Sequence, residues 1–391
     1  MKNLPILFIL LSLTPLAFGQ SARQYYNEGL KAKTPAEQIR LFTKALEKNQ
    51  KFTNALHRRG DAYKARGSLK SALADYTKII ALDPKDPFKY YARGLAYMEQ
   101  KNFAPAADDF TAAIKLKNNY DDFYYRRATS NMELKKYSAV IADTAKIKNK
   151  RKNAAALTML EARANFYLYN YDRAGKLLAD VLKQNPDDTE ALFYLGRIDY
   201  NAELYDEAVA NFSKVLNRNP KHEDALRARA AAFKEMPDFA AAEADFTALI
   251  ALNPGDSAYH NRRGLIYEET GRWQEAAKDY SAAIALNPKW AIPYNNRGYC
   301  YLKLKDYKKA YEDLAQAIKL APSLPTQQVN MAGYWWTARK NKKNMYRHLD
   351  LALKYNYKDI DALYEDSKKG WLFKGINNTL ELRNFLDGYG K

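Results

Sequence analysis

A repeat of 34 residues constrains the fold of this chain more than any other feature of its sequence. Eight segments of this length follow one another from Thr53 to Leu324 without an insertion. Position 8 of every segment is a small residue, and these residues are Gly60, Gly94, Ala128, Ala162, Gly196, Ala230, Gly264 and Gly298. Position 20 is Ala or Val, and aromatic residues recur at positions 11 and 24. Small residues let two helices approach closely, so each segment predicts a helical hairpin.

Proline at position 32 completes the pattern in six of the eight segments: Pro84, Pro186, Pro220, Pro254, Pro288 and Pro322. Because proline cannot continue a helix, it predicts the end of the second helix of each hairpin. Asn118 and Lys152 replace it in the other two segments, where we expect irregular hairpins that still stack. One hairpin cannot bury its apolar face alone, so the repeats predict a stack of hairpins.

The motif Gly-x-x-Tyr, Ala-x-x-x-Tyr/Phe and Pro at this spacing resembles the tetratricopeptide repeat. The two clearest segments carry this motif as Gly60, Tyr63, Ala72, Tyr76 and Pro84, and as Gly264, Tyr267, Ala276, Tyr280 and Pro288. The resemblance covers residues 53–324 and implies an all-α fold, a right-handed superhelical solenoid of antiparallel helix pairs. It also implies that the first helix of each hairpin lines the concave side.

The two ends of the chain depart from this pattern. Residues 20–52 are expected to form a degenerate N-terminal repeat, residues 325–358 a ninth repeat, and residues 359–391 a helical cap. Residues 1–19 have the layout of a cleaved signal peptide, with Lys2, an apolar run and small residues before Gln20. A membrane anchor is the alternative, but the apolar run is shorter than the roughly 20 residues that span a bilayer. We therefore expect an exported protein, periplasmic or secreted.

Two columns of the repeat carry opposite charges. Six segments contain both an Arg at position 7 and an Asp at position 23, and the fourth and fifth segments lack both. The pairs are Arg59 and Asp75, Arg93 and Asp109, Arg127 and Asp143, Arg229 and Asp245, Arg263 and Asp279, and Arg297 and Asp313. This coupled loss predicts an ion pair between the two helices of a hairpin. A structural bridge is favoured over a binding site, because interior charge pairs commonly serve packing.

Positions 2, 5, 9 and 12 of each segment share one face of the first helix, which we call the inner face. In the second to fifth segments this face is mostly aromatic or sulfur-containing, which suits adaptable binding of a partner. The candidate groove residues are Phe88, Tyr91, Met98, Tyr125, Met132, Met159, Phe166, Phe193, Arg197 and Tyr200. The alternative is that some of them are core. In the sixth to eighth segments the face is more polar, with Asp224, Arg227, Lys234, Asn261, Glu268 and Asn295.

The chain is basic, with a net charge of +18. A candidate basic patch lies where the third segment should end, and it contains Lys146, Lys148, Lys150, Arg151 and Lys152. Such a run attracts anionic partners, and its alternative is a solvated surface.

The sequence contains few of the residues that commonly carry out catalysis or bind metals. The single Cys300 excludes a disulfide within the chain and a Cys-rich metal site, and four scattered His residues do not suggest a metal cluster. Cys300 is expected to pack in the core. The sequence therefore predicts a non-enzymatic scaffold in the cell envelope that binds a protein or peptide, without a cofactor. The alternative is binding of an anionic polymer, such as envelope polysaccharide or nucleic acid, by the basic surface.

Overall fold

The computed structural model describes residues 20–149 and 154–358, together with Leu363, Leu372, Phe373, Leu382, Phe385 and Leu386. All regular secondary structure in this part of the chain is helical. The predicted signal peptide, residues 1–19, lies outside the described residues. The chain divides into two compact units, one up to Gln184 and one from Asn185.

The described residues of the first unit form ten helices, arranged as five consecutive hairpins. They are α1 (Ala22–Lys31), α2 (Pro35–Lys48), α3 (Thr53–Ala65), α4 (Leu69–Leu82), α5 (Pro87–Glu99), α6 (Phe103–Leu116), α7 (Asp121–Glu133), α8 (Tyr137–Thr144), α9 (Ala154–Tyr167) and α10 (Tyr171–Gln184).

In the second unit, the described residues up to Lys354 form five more hairpins. Their helices are α11 (Thr189–Asn201), α12 (Tyr205–Arg218), α13 (Glu223–Glu235), α14 (Phe239–Leu252), α15 (Ser257–Glu269), α16 (Trp273–Leu286), α17 (Ala291–Lys303), α18 (Tyr307–Leu320), α19 (Pro325–Thr337) and α20 (Lys342–Lys354). Within each unit every hairpin packs on the next one, as the repeat predicts.

The ends of the second helices depend less on proline than the sequence suggests. Helix α4 ends at Leu82, two residues before Pro84, and α6 ends at the equivalent Leu116 although Asn118 follows instead. In both helices the next residue leaves the helical conformation, with φ near −150°. Among the helices of the described residues α8 is the shortest, with 8 residues, and it belongs to the third segment, in which Lys152 occupies the proline position. Proline is therefore compatible with this helix end but is not its cause in α6.

The small residues at position 8 bring the two helices of a hairpin together. A Cβ atom on Gly264 would lie 2.7 Å from Cε1 of Tyr280, and one on Gly94 would lie 2.7 Å from Cε1 of Phe110. Both rings are completely buried. The aromatic residue at position 24 thus packs directly on the backbone of the first helix, which confirms the predicted contact between small and aromatic residues.

The first helices of neighbouring hairpins also approach each other directly. Examples are α5 with α7 and α17 with α19. They form the layer that presents the inner face. At the C-terminal end, Leu372 packs on α19 so closely that a Cβ atom on Gly333 would lie 2.2 Å from its Cγ atom. Leu372, Phe373 and Leu382 are buried in a cluster with residues of α19 and α20. The C-terminal residues that are described therefore cover the last hairpin.

Candidate functional site

All six Arg and Asp pairs are present, and each joins the two helices of one hairpin. In the pair on α15 and α16, Nε and Nη2 of Arg263 donate to the two carboxylate oxygens of Asp279 at 2.7 and 2.8 Å. Asp279 is 5% exposed. The hydrogen bond to Asp279 raises the pKa of Arg263, so the guanidinium stays charged. This two-point contact is the stronger geometry for an Arg–carboxylate pair.

Each of these arginines has a second partner residue that sequence reasoning missed. Nη1 of Arg263 donates to the hydroxyl of Thr247, on the second helix of the preceding hairpin, at 3.0 Å. The same contact recurs in all six hairpins, and the hydroxyl residues are Thr43, Thr77, Thr111, Ser213, Thr247 and Ser281. The arginine therefore joins consecutive hairpins, and its donors are used in packing. This geometry supports the structural interpretation of the pairs.

Other polar contacts replace the pair in the two hairpins that lack it. In α9–α10, Glu161 accepts a hydrogen bond from Arg173 at 2.9 Å. In α11–α12, Asn211 donates to Asp199 at 2.8 Å, and burial raises the pKa of Asp199. These hairpins are the last of the first unit and the first of the second unit. The loss of the pair thus coincides with the boundary between the units.

The candidate groove residues differ widely in exposure. Met132, Met159 and Phe166 are buried, which for these three favours the alternative that they are core residues. Each faces packed neighbours, where an apolar side chain gains most from leaving water. Phe88 is 41% exposed. The remaining six are half-buried: Tyr91, Met98, Tyr125, Phe193, Arg197 and Tyr200.

The half-buried aromatic residues already have partners within the chain. The Tyr91 hydroxyl donates to Asp122, and its ring centroid lies 5.2 Å from that of Phe123. The Phe193 ring lies 5.9 Å from that of Phe212. The candidate residues are also divided between the units, because Phe193, Arg197 and Tyr200 belong to the second one. A groove across all ten candidates therefore stays a prediction.

The candidate basic patch is described only in part. Lys146 and Lys148 are exposed, and the backbone N–H of Lys148 donates to Asp121 at 3.1 Å. Lys150, Arg151 and Lys152 lie outside the described residues. A binding role for the patch stays a prediction.

A polar cleft of about 290 Å³ lies on the inner face of the second unit. Three consecutive first helices and the segment after α20 contribute its walls, so it depends on the stacking of hairpins. Its lining residues are Glu268, Asn295, Asn296, Tyr299, Thr326, Val329, Asn330 and Tyr357. We call it the amide cleft.

A chain of side-chain amides crosses the helices of this cleft. Asn330 of α19 donates to Asn295 of α17 at 3.0 Å, Asn295 donates to its neighbour Asn296 at 3.2 Å, and Asn296 donates to Asn261 of α15 at 3.4 Å. An amide group offers two donors and an acceptor with two lone pairs. Because each bond in the chain uses only part of this capacity, the amides that line the cleft can still bind a polar ligand.

Glu268 is the one carboxylate in the cleft lining. Its Oε1 atom accepts from the Tyr280 hydroxyl at 2.7 Å and lies 3.6 Å from the Cys300 sulfur. Burial raises the pKa of Glu268 to about 6, against the lowering effect of these two hydrogen bonds. Among the described residues, no basic side chain forms an ion pair with it, and the nearby Lys303 ammonium lies 5.1 Å from the centroid of the Tyr299 ring. Glu268 is therefore a poorly compensated charge in a cleft.

Cys300 is completely buried, which confirms its predicted packing. Burial raises the pKa of its thiol well above the usual range, so the thiolate needed for nucleophilic chemistry is disfavoured. Within the residues that the structure describes, no group of His, Cys, Asp and Glu side chains is placed to hold a metal ion. None of the helices described above combines the length and the apolar character needed to cross a bilayer.

Sequence reasoning noted Asn261, Glu268 and Asn295 as polar but missed Asn296, Tyr299 and Asn330. A signal was present, because positions 5 and 6 of three consecutive first helices hold four asparagines. Only the packing of those helices shows that the four amides meet.

Family comparisons agree with the hairpin stack. A model described as TPR repeat matches residues 60–101, and four models described as tetratricopeptide repeat match residues 90–120, 167–232, 257–290 and 291–324. The chain is a tetratricopeptide-repeat protein. Its tetratricopeptide repeats account for the 34-residue period and for the close contact between the helices of each hairpin.

Solved tetratricopeptide-repeat structures resemble parts of the chain at low identity. YrrB, described as a TPR protein with an unusual peptide-binding site, is 23% identical, and the match covers 48% of this chain and 97% of that one with a TM-score of 0.44. MamA from Desulfovibrio magneticus is 22% identical over 44% of this chain and 97% of its own, with a TM-score of 0.41. The Naa15/Naa10 complex bound to HypK matches 94% of this chain and 75% of that chain at 15% identity, with a TM-score of 0.37. None of the curated proteins compared with the chain matches it significantly.

Proposed function

We propose that this tetratricopeptide-repeat protein is a non-enzymatic scaffold that binds an extended segment of another protein in the amide cleft. The observation that carries this proposal is the chain of amides from Asn330 through Asn295 and Asn296 to Asn261. An extended polypeptide presents a backbone N–H and a C=O at every residue. Side-chain amides supply both a donor and an acceptor, so they match such a backbone without requiring a particular sequence.

A library of acetylated and amidated hexapeptides, passed over the immobilised full chain, tests this function. Asn296 and Asn330 are half-buried and line the cleft, so the double variant N296A/N330A should retain peptides at least about tenfold less well. Asn287 is exposed at the end of α16, and N287A is a matched control that should behave like the parent chain.

Three outcomes of the library experiment would count against the amide cleft. The parent chain could retain no peptide, or N296A/N330A could retain peptides normally. In the third outcome, only variants of the candidate groove lose peptide binding. The variants for this comparison are Y91F and Y125F, which remove the hydroxyls but keep the rings. That outcome would favour the aromatic face of the first unit.

The alternative partner is an anionic polymer, and the observation that favours it is the net charge of +18. The charged residue in the amide cleft is Glu268, so a polyanion would have to bind elsewhere on the surface. If heparin binds and displaces the retained peptides, the peptides occupy the polyanion surface and not a separate site in the amide cleft. That result would support the alternative.

We also propose that the chain is exported to the cell envelope or beyond it. The support is the sequence of residues 1–19, in which Lys2 precedes an apolar run and Ala17-Phe18-Gly19. Sequencing of the mature N-terminus should begin at Gln20. Recovery of chains that still begin at Met1, in the cytosol only, would contradict export.

A further inference from the structure

We infer that the segment bound in the amide cleft inserts a Lys or Arg side chain that pairs with Glu268. This inference rests on the proposed function and specifies the chemistry of the partner. The amides bind any extended backbone, so the sequence preference must come from the other groups of the lining. Glu268 is the charged residue of this lining.

The first reason for expecting a basic side chain is the electrostatic environment of Glu268. Its Oε1 atom accepts from Tyr280 and lies within hydrogen-bond reach of Cys300, both of which are neutral. Lys303 lowers the pKa of Glu268, but burial outweighs this effect. A buried carboxylate without a directly paired cation costs free energy, and direct pairing removes much of that cost. A ligand ammonium or guanidinium would supply a directly paired cation.

The neighbourhood of Glu268 is the second reason. Tyr299 lines the same cleft, and its ring already lies beside a cation, the Lys303 ammonium, at 5.1 Å. Aromatic rings next to a carboxylate favour cations because the ring face is electron-rich. The inner-face position of Glu268 is occupied elsewhere in the repeats by Lys, Met, Phe, Tyr, Leu or Trp, so an acidic residue there is specific to this hairpin.

The third reason concerns the class of the occupant. The inner face continues from the cleft to Gly333, which holds the same repeat position as Tyr299. There a residue of the chain itself, Leu372, packs on the helix backbone. Tyr357, which also follows the last hairpin, completes the cleft wall. The neighbouring stretch of this face is thus already covered by polypeptide, which favours a polypeptide as the occupant of the cleft.

Binding should depend on pH in one direction. The groups that face Glu268 are Tyr280 of α16, Cys300 and Lys303 of α17, and its own neighbour Glu269, and Tyr357 closes the cleft. Its pKa of about 6 means that the carboxylate is ionised at neutral pH and becomes protonated as the pH falls through this value. Affinity for a basic segment should therefore fall on acidification, while affinity for a neutral segment should not.

The hexapeptide library on the full chain tests the inference, with E268Q as the variant and E269Q as the matched control. Glu269 is exposed, so E269Q makes the same charge change one residue away. The parent chain and E269Q should retain peptides enriched in Lys or Arg at one position. E268Q should lose that enrichment but still retain peptides, because the amides remain. Its melting temperature checks that it is folded.

A change on the ligand side keeps the test independent of any variant. The retained peptide is synthesised with Lys and with acetyl-lysine, and both affinities are measured by calorimetry. On the parent chain, acetylation should weaken binding about tenfold to a hundredfold, the usual range for a charged hydrogen bond. On E268Q the two peptides should differ less than about threefold.

The possible failures are distinguishable. If the parent chain retains no peptide, the proposed function itself is wrong. If it retains peptides without a basic preference, or if E268Q keeps the preference, the amide cleft binds polypeptide but Glu268 does not select its side chain. Equal affinity for the Lys and acetyl-lysine peptides would overturn the inference in the same way.

Discussion

Each arginine of the six pairs contacts two other helices and so connects three helices of the stack. In one example, Arg263 of α15 contacts Asp279 of α16 and Thr247 of α14. The carboxylate fixes the two helices of one hairpin, and the hydroxyl fixes the hairpin against its predecessor. Arginine suits this position because its planar group presents several donors in a fixed geometry.

Removing one side of this contact should destabilise the fold. We expect R263A or D279A to lower the free energy of unfolding by about 1–3 kcal/mol. R263A removes both guanidinium hydrogen bonds from the buried Asp279, which keeps a 3.4 Å contact with His260, and D279A leaves the guanidinium without its carboxylate partner. T247A should cost about 0.5–1.5 kcal/mol, the net value of one hydrogen bond. Urea denaturation of the single and double variants gives the coupling between the three side chains.

The neighbouring Arg262 provides the control for these variants, because it is exposed and on the same helix. R262A should change the free energy of unfolding by less than about 0.5 kcal/mol. Additive effects of R263A and D279A would show that the two residues do not interact in solution.

Glu268 should reduce the stability of the unliganded protein at neutral pH. Its pKa is about 6 in the folded state and near the ordinary 4.5 in the unfolded state, so the folded state binds more protons between these values. Stability should therefore fall as the pH rises from about 4.5 to about 6, by about 1–2 kcal/mol.

The variant E268Q removes this titration. It should be more stable than the parent chain near pH 7, and the advantage should disappear as the pH falls to about 4.5. Chemical denaturation across this pH range measures the difference, with E269Q as the control. A constant difference at all pH values would mean that Glu268 does not titrate with a raised pKa.

At the scale of helices, the contact at position 8 decides how close the two helices of a hairpin come. Gly94 in α5 faces Phe110 with no room for a Cβ atom, whereas a Cβ atom on Gly175 in α10 would meet nothing within 4 Å. Replacing glycine by alanine should therefore have opposite effects on stability at these two helical positions of the first unit.

We expect G94A to destabilise the protein by about 1–3 kcal/mol, because the buried Phe110 ring has to move. G175A should stabilise it by about 0.5–1 kcal/mol, because alanine restricts the unfolded chain and favours helix. Thermal and urea denaturation, followed by circular dichroism, measure both changes. Destabilisation by both would mean that α10 has less space around Gly175 than the structure shows.

The whole chain carries a net charge of +18, and this charge separates the two candidate partners. Counterion release makes binding of a polyanion fall steeply with salt. A basic segment in the amide cleft is repelled at long range by the net charge and attracted only locally by Glu268. Local pairs that are partly buried are screened much less than exposed ones.

The affinity of a retained Lys peptide should therefore change less than about threefold between about 50 and 500 mM salt. Heparin, measured on the same protein, is the reference for a polyanion and should lose several orders of magnitude over this range. A peptide affinity that follows heparin would indicate a general electrostatic surface instead of the amide cleft.

Most of the fold can be predicted from the sequence because its determinants are periodic and local. A small residue at position 8 and an aromatic residue at position 24 meet within one hairpin, so Gly264 and Tyr280 predict their own contact. Arg263 and Asp279 are 16 residues apart and also meet within one hairpin. Internal repetition supplied the comparison that identified these pairs.

Only the tertiary structure decided which inner-face residues are accessible to a binding partner. Met132 and Glu268 share position 12 of the repeat, yet Met132 is buried and Glu268 lines a cleft. Helical spacing places both on the same face, but the side chains of adjacent hairpins determine how much of that face is covered. The amide chain is decided in the same way, because Asn330 and Asn296 meet their partners 35 residues away only when three hairpins stack. The repeat thus determines the hairpins by itself, whereas contacts between hairpins create the site.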